Sequence, residues 1–130
     1  TLILIAEAFG DEAPDTHNYD LDKVEAMLRF CIYDDNAVVY VMEMDEQVVG
    51  GIVGVVAEMW ASYDVSATEF VDKKYRGRGA LKLLRAFENW AESKEADYIT
   101  VADIQGIANL EPLYKRKGYS KVETSYSKRV

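Results

Sequence analysis

This 130-residue sequence predicts an α/β domain. Runs rich in β-branched and aromatic residues, such as Ala37 to Met44 and Tyr98 to Ala102, have the character of strands. They alternate with segments whose apolar residues recur at helical spacing. The balance of 49% hydrophobic and 29% charged residues fits one soluble domain, large enough to close a core without disulfides or a structural metal.

Thr1 to Phe9 opens on Leu2-Ile3-Leu4-Ile5 and reads as a short strand or covering segment, and Gly10 to Asn18 reads as a solvated connection. Asp22 followed by Glu25 has the form of a capping box. Val24, Met27, Leu28, Cys31 and Ile32 then recur at helical spacing, predicting a helix that ends near Asp34-Asp35-Asn36. Cys31 lies on its apolar stripe and is assigned to packing. Ala37 to Met44 and Val48 to Ala57, joined by Asp45-Glu46-Gln47, form a hairpin. Gly50, Gly51 and Gly54 would weaken its second strand unless a bulge or a close approach requires them. After a break over Ala61 to Asp64, Val65 to Val71 is a strand.

The next helix runs from Ala80 to Lys94, with Ala80, Leu83, Leu84, Phe87, Trp90 and Ala91 on one face. Lys82, Arg85, Glu88 and Glu92 fall away from that face. Tyr98 to Ala102 is a buried strand, and Asn109 can cap a short helix that tolerates Pro112 and ends at Gly118. Tyr119 to Val130 is expected to close the chain as extended β structure.

Asp and Glu total 23 against 15 Lys and Arg, a net charge of -8 that opposes binding to a phosphate backbone. An acidic surface can attract amines, polyamines or Lys-rich polypeptides, or can serve solubility alone. One cysteine, Cys31, and one histidine, His17, exclude an internal disulfide and a Cys/His zinc site, leaving only an Asp/Glu metal site open. His17 has no periodic pattern to orient it and is read as silent. The apolar run Leu2 to Ala6 is too short to span a bilayer and has no basic flank, so the expected location is the cytoplasm, with no membrane partner.

The chemically informative stretch is Arg76-Gly77-Arg78-Gly79-Ala80, between a strand and a helix. Backbone N–H groups converge at such a helix N-terminus, which carries about half a positive charge and suits a phosphate. Arg76 and Arg78 add charge and forked donors; the same residues taken alone equally suit a basic, flexible surface turn. The stretch is not a P-loop, since no Gly-Lys-Ser/Thr closes it, and it lacks dinucleotide spacing.

The order hairpin, strand, RGRGA, amphipathic helix, strand and short helix with LYKRKGY resembles the GNAT superfamily of N-acetyltransferases. The likeness is strongest from Glu69 to Tyr119. It implies a mixed, mostly antiparallel sheet with helices on both faces, and an active site where two central strands splay apart. It implies acetyl-CoA as co-substrate and no metal. Phe70, Val71 and Asp72 would line the pantetheine arm, and Arg76, Gly77, Arg78, Gly79 and Ala80 would hold the pyrophosphate. Against the family's loop pattern, Leu81 stands at the position usually held by Gly or Ala. Ile107 stands where an Asn is frequent.

The resemblance also assigns Tyr114 as the acid that protonates the departing thiolate. The base is assigned from the residues themselves. An attacking amine must shed a proton, and Glu69, sharing a strand face with Ala67 and Val71, is the leading acceptor ahead of Glu58 and Asp103. Tyr63, Asp103 and Tyr126 are further polar groups for the substrate end. The expected reaction is direct attack of a primary amine, on a small molecule or peptide, upon the thioester. Homodimers are common in the family. A non-catalytic acyl-CoA-binding sensor or interaction module is the alternative.

Overall fold

The computed structural model describes residues 20–59, 62–71, 74, 76–102, 110–126 and 128–130, with backbone alone at 58, 59, 70 and 76. The segment Thr1 to Phe9, the connection to Asn18 and His17 lie outside the described residues. In chain order the elements are α1 (Leu21–Tyr33), β1 (Ala37–Met44), β2 (Gln47–Met59), β3 (Ser62–Val71), α2 (Arg76–Ser93), β4 (Tyr98–Ala102) and α3 (Glu111–Arg116).

The strands form a four-stranded sheet in the order β1-β2-β3-β4. The first two pairings are antiparallel and β3–β4 is parallel, so the sheet is mixed and mostly antiparallel. The hairpin turn is Asp45-Glu46, with φ of 51° and 63°. Left-handed backbone at both central residues gives the twist a two-residue hairpin needs. β3 begins at Ser62, earlier than its apolar content implied, because its ladder to β2 extends down to Met59↔Ser62.

One sheet face carries Ile52, Val65, Ala67 and Val71 against Ala80, Leu83, Leu84, Phe87 and Ala91 of α2, with Leu110 and Tyr114 completing the cluster. Phe87, Ile52, Leu84 and Val65 are fully buried. Each contributes about 1.5–3 kcal/mol by leaving water. Leu28 and Cys31 of α1 are buried outside this cluster, so helices flank the sheet on both sides. Met27 and Ile32 are half exposed, which makes the α1 stripe narrower than its sequence spacing suggested.

Three local expectations are corrected. The cap of α1 is Asp20, whose Oδ1 accepts from the N–H groups of Asp22 (3.0 Å) and Lys23 (3.3 Å). Asp22 is instead in the first turn, and Glu25 pairs with Arg29 at 2.8 Å. The short helix α3 has Leu110 at its cap position with no side-chain cap bond, while Asn109 lies outside the described residues. No strand forms among the described residues after Tyr119: the even spacing of Val122, Tyr126 and Val130 would put them on one strand face, but all three are exposed, so no burial offsets the cost of ordering the segment.

Gly54 faces Val38 and Ala67 across the ladders, directly under α2. A Cβ there would stand 2.3 Å from Phe87 Cε2 and 2.8 Å from Cδ2, so the missing side chain is what lets the ring reach the sheet. Gly54→Ala is therefore expected to destabilise the fold by about 1–3 kcal/mol, the usual cost of overpacking. A lowered urea midpoint with unchanged slope is the expected readout.

Candidate active site

Alternation along β3 places Val65, Ala67, Glu69 and Val71 on the α2 face. Glu69 is therefore an ionisable group inside an apolar layer, only 4% exposed and paired across β2 with Ile52. Its Oε1 is buried with no hydrogen-bond partner among the described residues. Its Oε2 lies 3.5 Å from the hydroxyl of Tyr114, a long contact in which the hydroxyl donates. Burial lifts the Glu69 pKa from its ordinary 4.5 to about 8, and the Tyr114 bond only partly opposes that rise.

Among the described residues the β3–β4 ladder runs from Asp64↔Tyr98 to Thr68↔Ala102. β3 then continues through Glu69, Phe70 and Val71, paired in the sheet to Ile52, Gly51 and Gly50 of β2. α2 starts at Arg76, shortly beyond the strand. Its first turn contains no acidic residue, Gly77 and Arg78 are exposed, and a Cβ on Gly77 would meet nothing within 4 Å. The first N–H groups of a helix have no intrahelical partner. An open, acid-free N-terminus with an adjacent arginine is fitted to an anion. Gly79 and Ala80 are buried against the sheet; a Cβ on Gly79 would stand 2.4 Å from Met42 Cε and 3.3 Å from Val71 Cγ1. Gly79 thus serves close packing, while Gly77 leaves the turn open.

The structure brings Glu69 and Tyr114 together across 45 residues and sets both beside the strand that leads into RGRGA. Asp72, Asp103 and Ile107 lie outside the described residues, as do the side chains of Glu58, Phe70 and Arg76. Leu81 is half-buried. Tyr63 is six residues along β3 from Glu69, about 20 Å at strand rise, and its backbone N–H is held by Asp97 Oδ2 at 2.9 Å. Tyr126 is exposed in the tail. Neither shares the Glu69 site.

A family model described as an acetyltransferase (GNAT) domain matches residues 5–129. The chain belongs to the GNAT acetyltransferases. A search of curated protein sequences returns no significant match. Among solved structures, the acetyltransferase resembles AAC(6')-Iy, an aminoglycoside N-acetyltransferase, bound to the bisubstrate analogue CoA-S-monomethyl-acetylneamine. Identity is 18%, covering 98% of this chain and 89% of that one, with a TM-score of 0.76. An acetyltransferase from Clostridium acetobutylicum solved with acetyl-CoA is 17% identical, with coverage of 98% and 87% and a TM-score of 0.77. A ribosomal-protein-alanine N-acetyltransferase from Brucella melitensis biovar Abortus 2308 is 16% identical, with coverage of 98% and 89% and a TM-score of 0.73. At these identities the likeness is one of fold.

One contact beside the site had no sequence signal. Glu88 was expected to face solvent, yet it is half-buried and accepts a hydrogen bond from the Tyr119 hydroxyl at 3.1 Å. The contact spans 31 residues, beyond what periodicity reads. Cys31 is buried as expected, and burial, then the nearby Asp34, raises its thiol pKa.

Glu69 links stability to pH. Its carboxyl titrates near 4.5 in the unfolded chain and near 8 in the native one, so between those values the native state holds the extra proton. This contribution is complete below about pH 4.5 and is lost as pH rises through about 8. The urea midpoint should fall between about pH 5 and about pH 9 in the native protein, and fall less in Glu69→Gln.

Proposed function

We propose that this acetyltransferase moves the acetyl group of acetyl-CoA to a primary amine by direct attack, with Glu69 as proton acceptor and Tyr114 as the acid at the leaving sulfur. The observation that carries the reading is the buried carboxyl of Glu69 facing the Tyr114 hydroxyl, near the end of the strand that precedes α2. Backbone at Phe70 and Val71 would align the pantetheine arm in the manner of an added strand. The N-terminus of α2, Arg76 to Ala80, would take the pyrophosphate through its amides, with Arg78 adding charge.

The proton inventory suits an ammonium acceptor. A cation beside Glu69 favours its ionised form. In a dry pocket the resulting pair then relaxes toward neutral amine and neutral acid, and a carboxyl with a pKa of about 8 accepts that proton far better than one at 4.5. The amine nitrogen is freed to attack the thioester carbonyl. As the C–S bond breaks, Tyr114 gives its proton to the sulfur and recovers one from Glu69, to which its hydroxyl already points; Glu69, ionised again, takes the second proton shed by the nitrogen and releases it to water. The acid surface, with its net charge of -8, is suited to drawing in a cationic small molecule or peptide amine.

The test is CoA release with acetyl-CoA and a panel of polycationic, aminoglycoside and peptide amines. Turnover supports transfer; tight acetyl-CoA binding with no turnover across the panel favours a binding module. With an active acceptor, kcat/KM should rise with pH to a plateau above about 8, because Glu69 must be ionised to accept a proton. Glu69→Gln should lose that limb, leaving only the acceptor's own titration. Unchanged limbs in the two proteins would remove Glu69 from the mechanism.

Arg78→Glu separates binding from folding. A carboxylate in the first turn of a helix is favoured by the macrodipole, by about 0.3–1 kcal/mol, so the exposed variant should be as stable as its parent or more so. Calorimetry should nevertheless find acetyl-CoA binding weakened by roughly tenfold or more, since a charge-assisted contact is replaced by repulsion.

A further inference from the structure

α3 is six residues long and has no side-chain cap, and a helix of that length does not hold itself in water. The orientation of Tyr114 therefore depends on tertiary ties. Past the helix, Gly118 (φ 91°) turns the chain so that the Tyr119 N–H reaches the Tyr114 carbonyl at 3.0 Å. The two rings then lie 5.8 Å apart at 52°. Both residues flanking Gly118 end on one carboxylate of α2. The Tyr119 hydroxyl donates to Glu88 Oε2 at 3.1 Å, and Lys117 Nζ meets Glu88 Oε1 at 3.1 Å.

This clamp differs from the ion pairs on the helix surfaces. Its side chains are 29% and 25% exposed, against 67% and 55% for Lys115–Glu111, so water and salt screen it less. Burial, followed by the Glu88 charge, holds the Tyr119 hydroxyl firmly in its protonated, donating form. Glu88 also sits on the same helix whose first turn is the anion-fitted terminus.

We propose that Glu88, through Tyr119 and Lys117, is a positioning residue for the transfer: it holds the Tyr114 hydroxyl against the reacting centre and couples that hydroxyl to the helix that receives the phosphates. The inference rests on the proposed acetyl transfer. Glu88 touches neither substrate nor reacting atoms; it acts through the segment that carries Tyr114.

The experiment is a double-mutant cycle with Glu88→Ala and Tyr114→Phe, accompanied by Glu88→Gln and Tyr119→Phe, all confirmed folded by urea titration. Glu88→Ala should lower kcat on the order of tenfold, since a displaced catalytic group costs rate steeply. KM for acetyl-CoA should stay within about twofold, as expected for an interaction that matters in the transition state. Glu88→Gln, whose amide oxygen still accepts from Tyr119, should recover part of the loss. In the Tyr114→Phe background Glu88→Ala should cost little more, because the group it positions is gone. Equal losses in both backgrounds would overturn the proposal. A readout that needs no turnover is the Glu69 carboxyl followed by carbon-13 NMR. Tyr114 bonding lowers the Glu69 pKa, so releasing the clamp in Tyr119→Phe should move the midpoint upward. An unmoved midpoint would overturn the clamp. A moved midpoint in a protein that transfers no acetyl group would instead retain the clamp and reject the reaction.

Discussion

The arrangement of the site hangs on one buried carboxyl and the strand that carries it. β3 is laddered to β2 along its whole length and, among the described residues, to β4 from Asp64↔Tyr98 to Thr68↔Ala102. Glu69 lies two residues before the end of β3. Because strand geometry alternates, it must face either α1 or α2, and its register with Ile52 commits it to the α2 side. Its carboxyl is thereby enclosed by helix and sheet rather than hung on an exposed loop.

Enclosing a carboxyl among Val71, Ala67 and Ile52 works against stability, because burial disfavours the charged form and Oε1 is unpaired among the described residues. The hydrocarbon layer beneath α2 offsets it, with Phe87 and Leu84 wholly out of water and Trp90 stacked 5.8 Å from Phe87. A group kept in an unfavourable environment by strong packing around it is the physical form that a tuned acid or base takes. The same packing gives Tyr114 a fixed approach, which its own short helix could not.

Much of this architecture was legible from local pattern. The hairpin and the α2 stripe follow from periods of two and 3.6 residues, and the side on which Glu69 lies follows from alternation with Ala67 and Val71. Tyr98–Ala102 is a strand as its β-branched content predicts, but it is not the buried one expected: Tyr98 and Ala102 are exposed and the three residues between them half-buried. RGRGA announced the opening of a helix, which starts at Arg76. What escaped has nonlocal or competitive causes. Asp20 won the α1 cap over Asp22 because its extended backbone (φ -89°, ψ 106°) aims Oδ1 at two orphan N–H groups, which composition alone does not rank. The tail looked like strand by content, yet its apolar residues stay exposed and no ladder takes them up among the described residues. The contact of Glu69 with Tyr114 and the grip of Glu88 on Tyr119 join residues 45 and 31 apart, and only the folded sheet-and-helix frame brings them together.

Gly54 and Phe87 divide one volume between them, since the ring occupies the space a side chain on the strand would need. Neither position can drift alone through evolution: a methyl at the strand becomes acceptable only once the helix carries a narrower residue, and a narrower residue leaves a void until the strand fills it. Descendants of this sequence should therefore change the two sites as a matched pair. The glycine is thus a record of the partner it faces, and a relative carrying alanine there would be expected to have given up the phenyl ring.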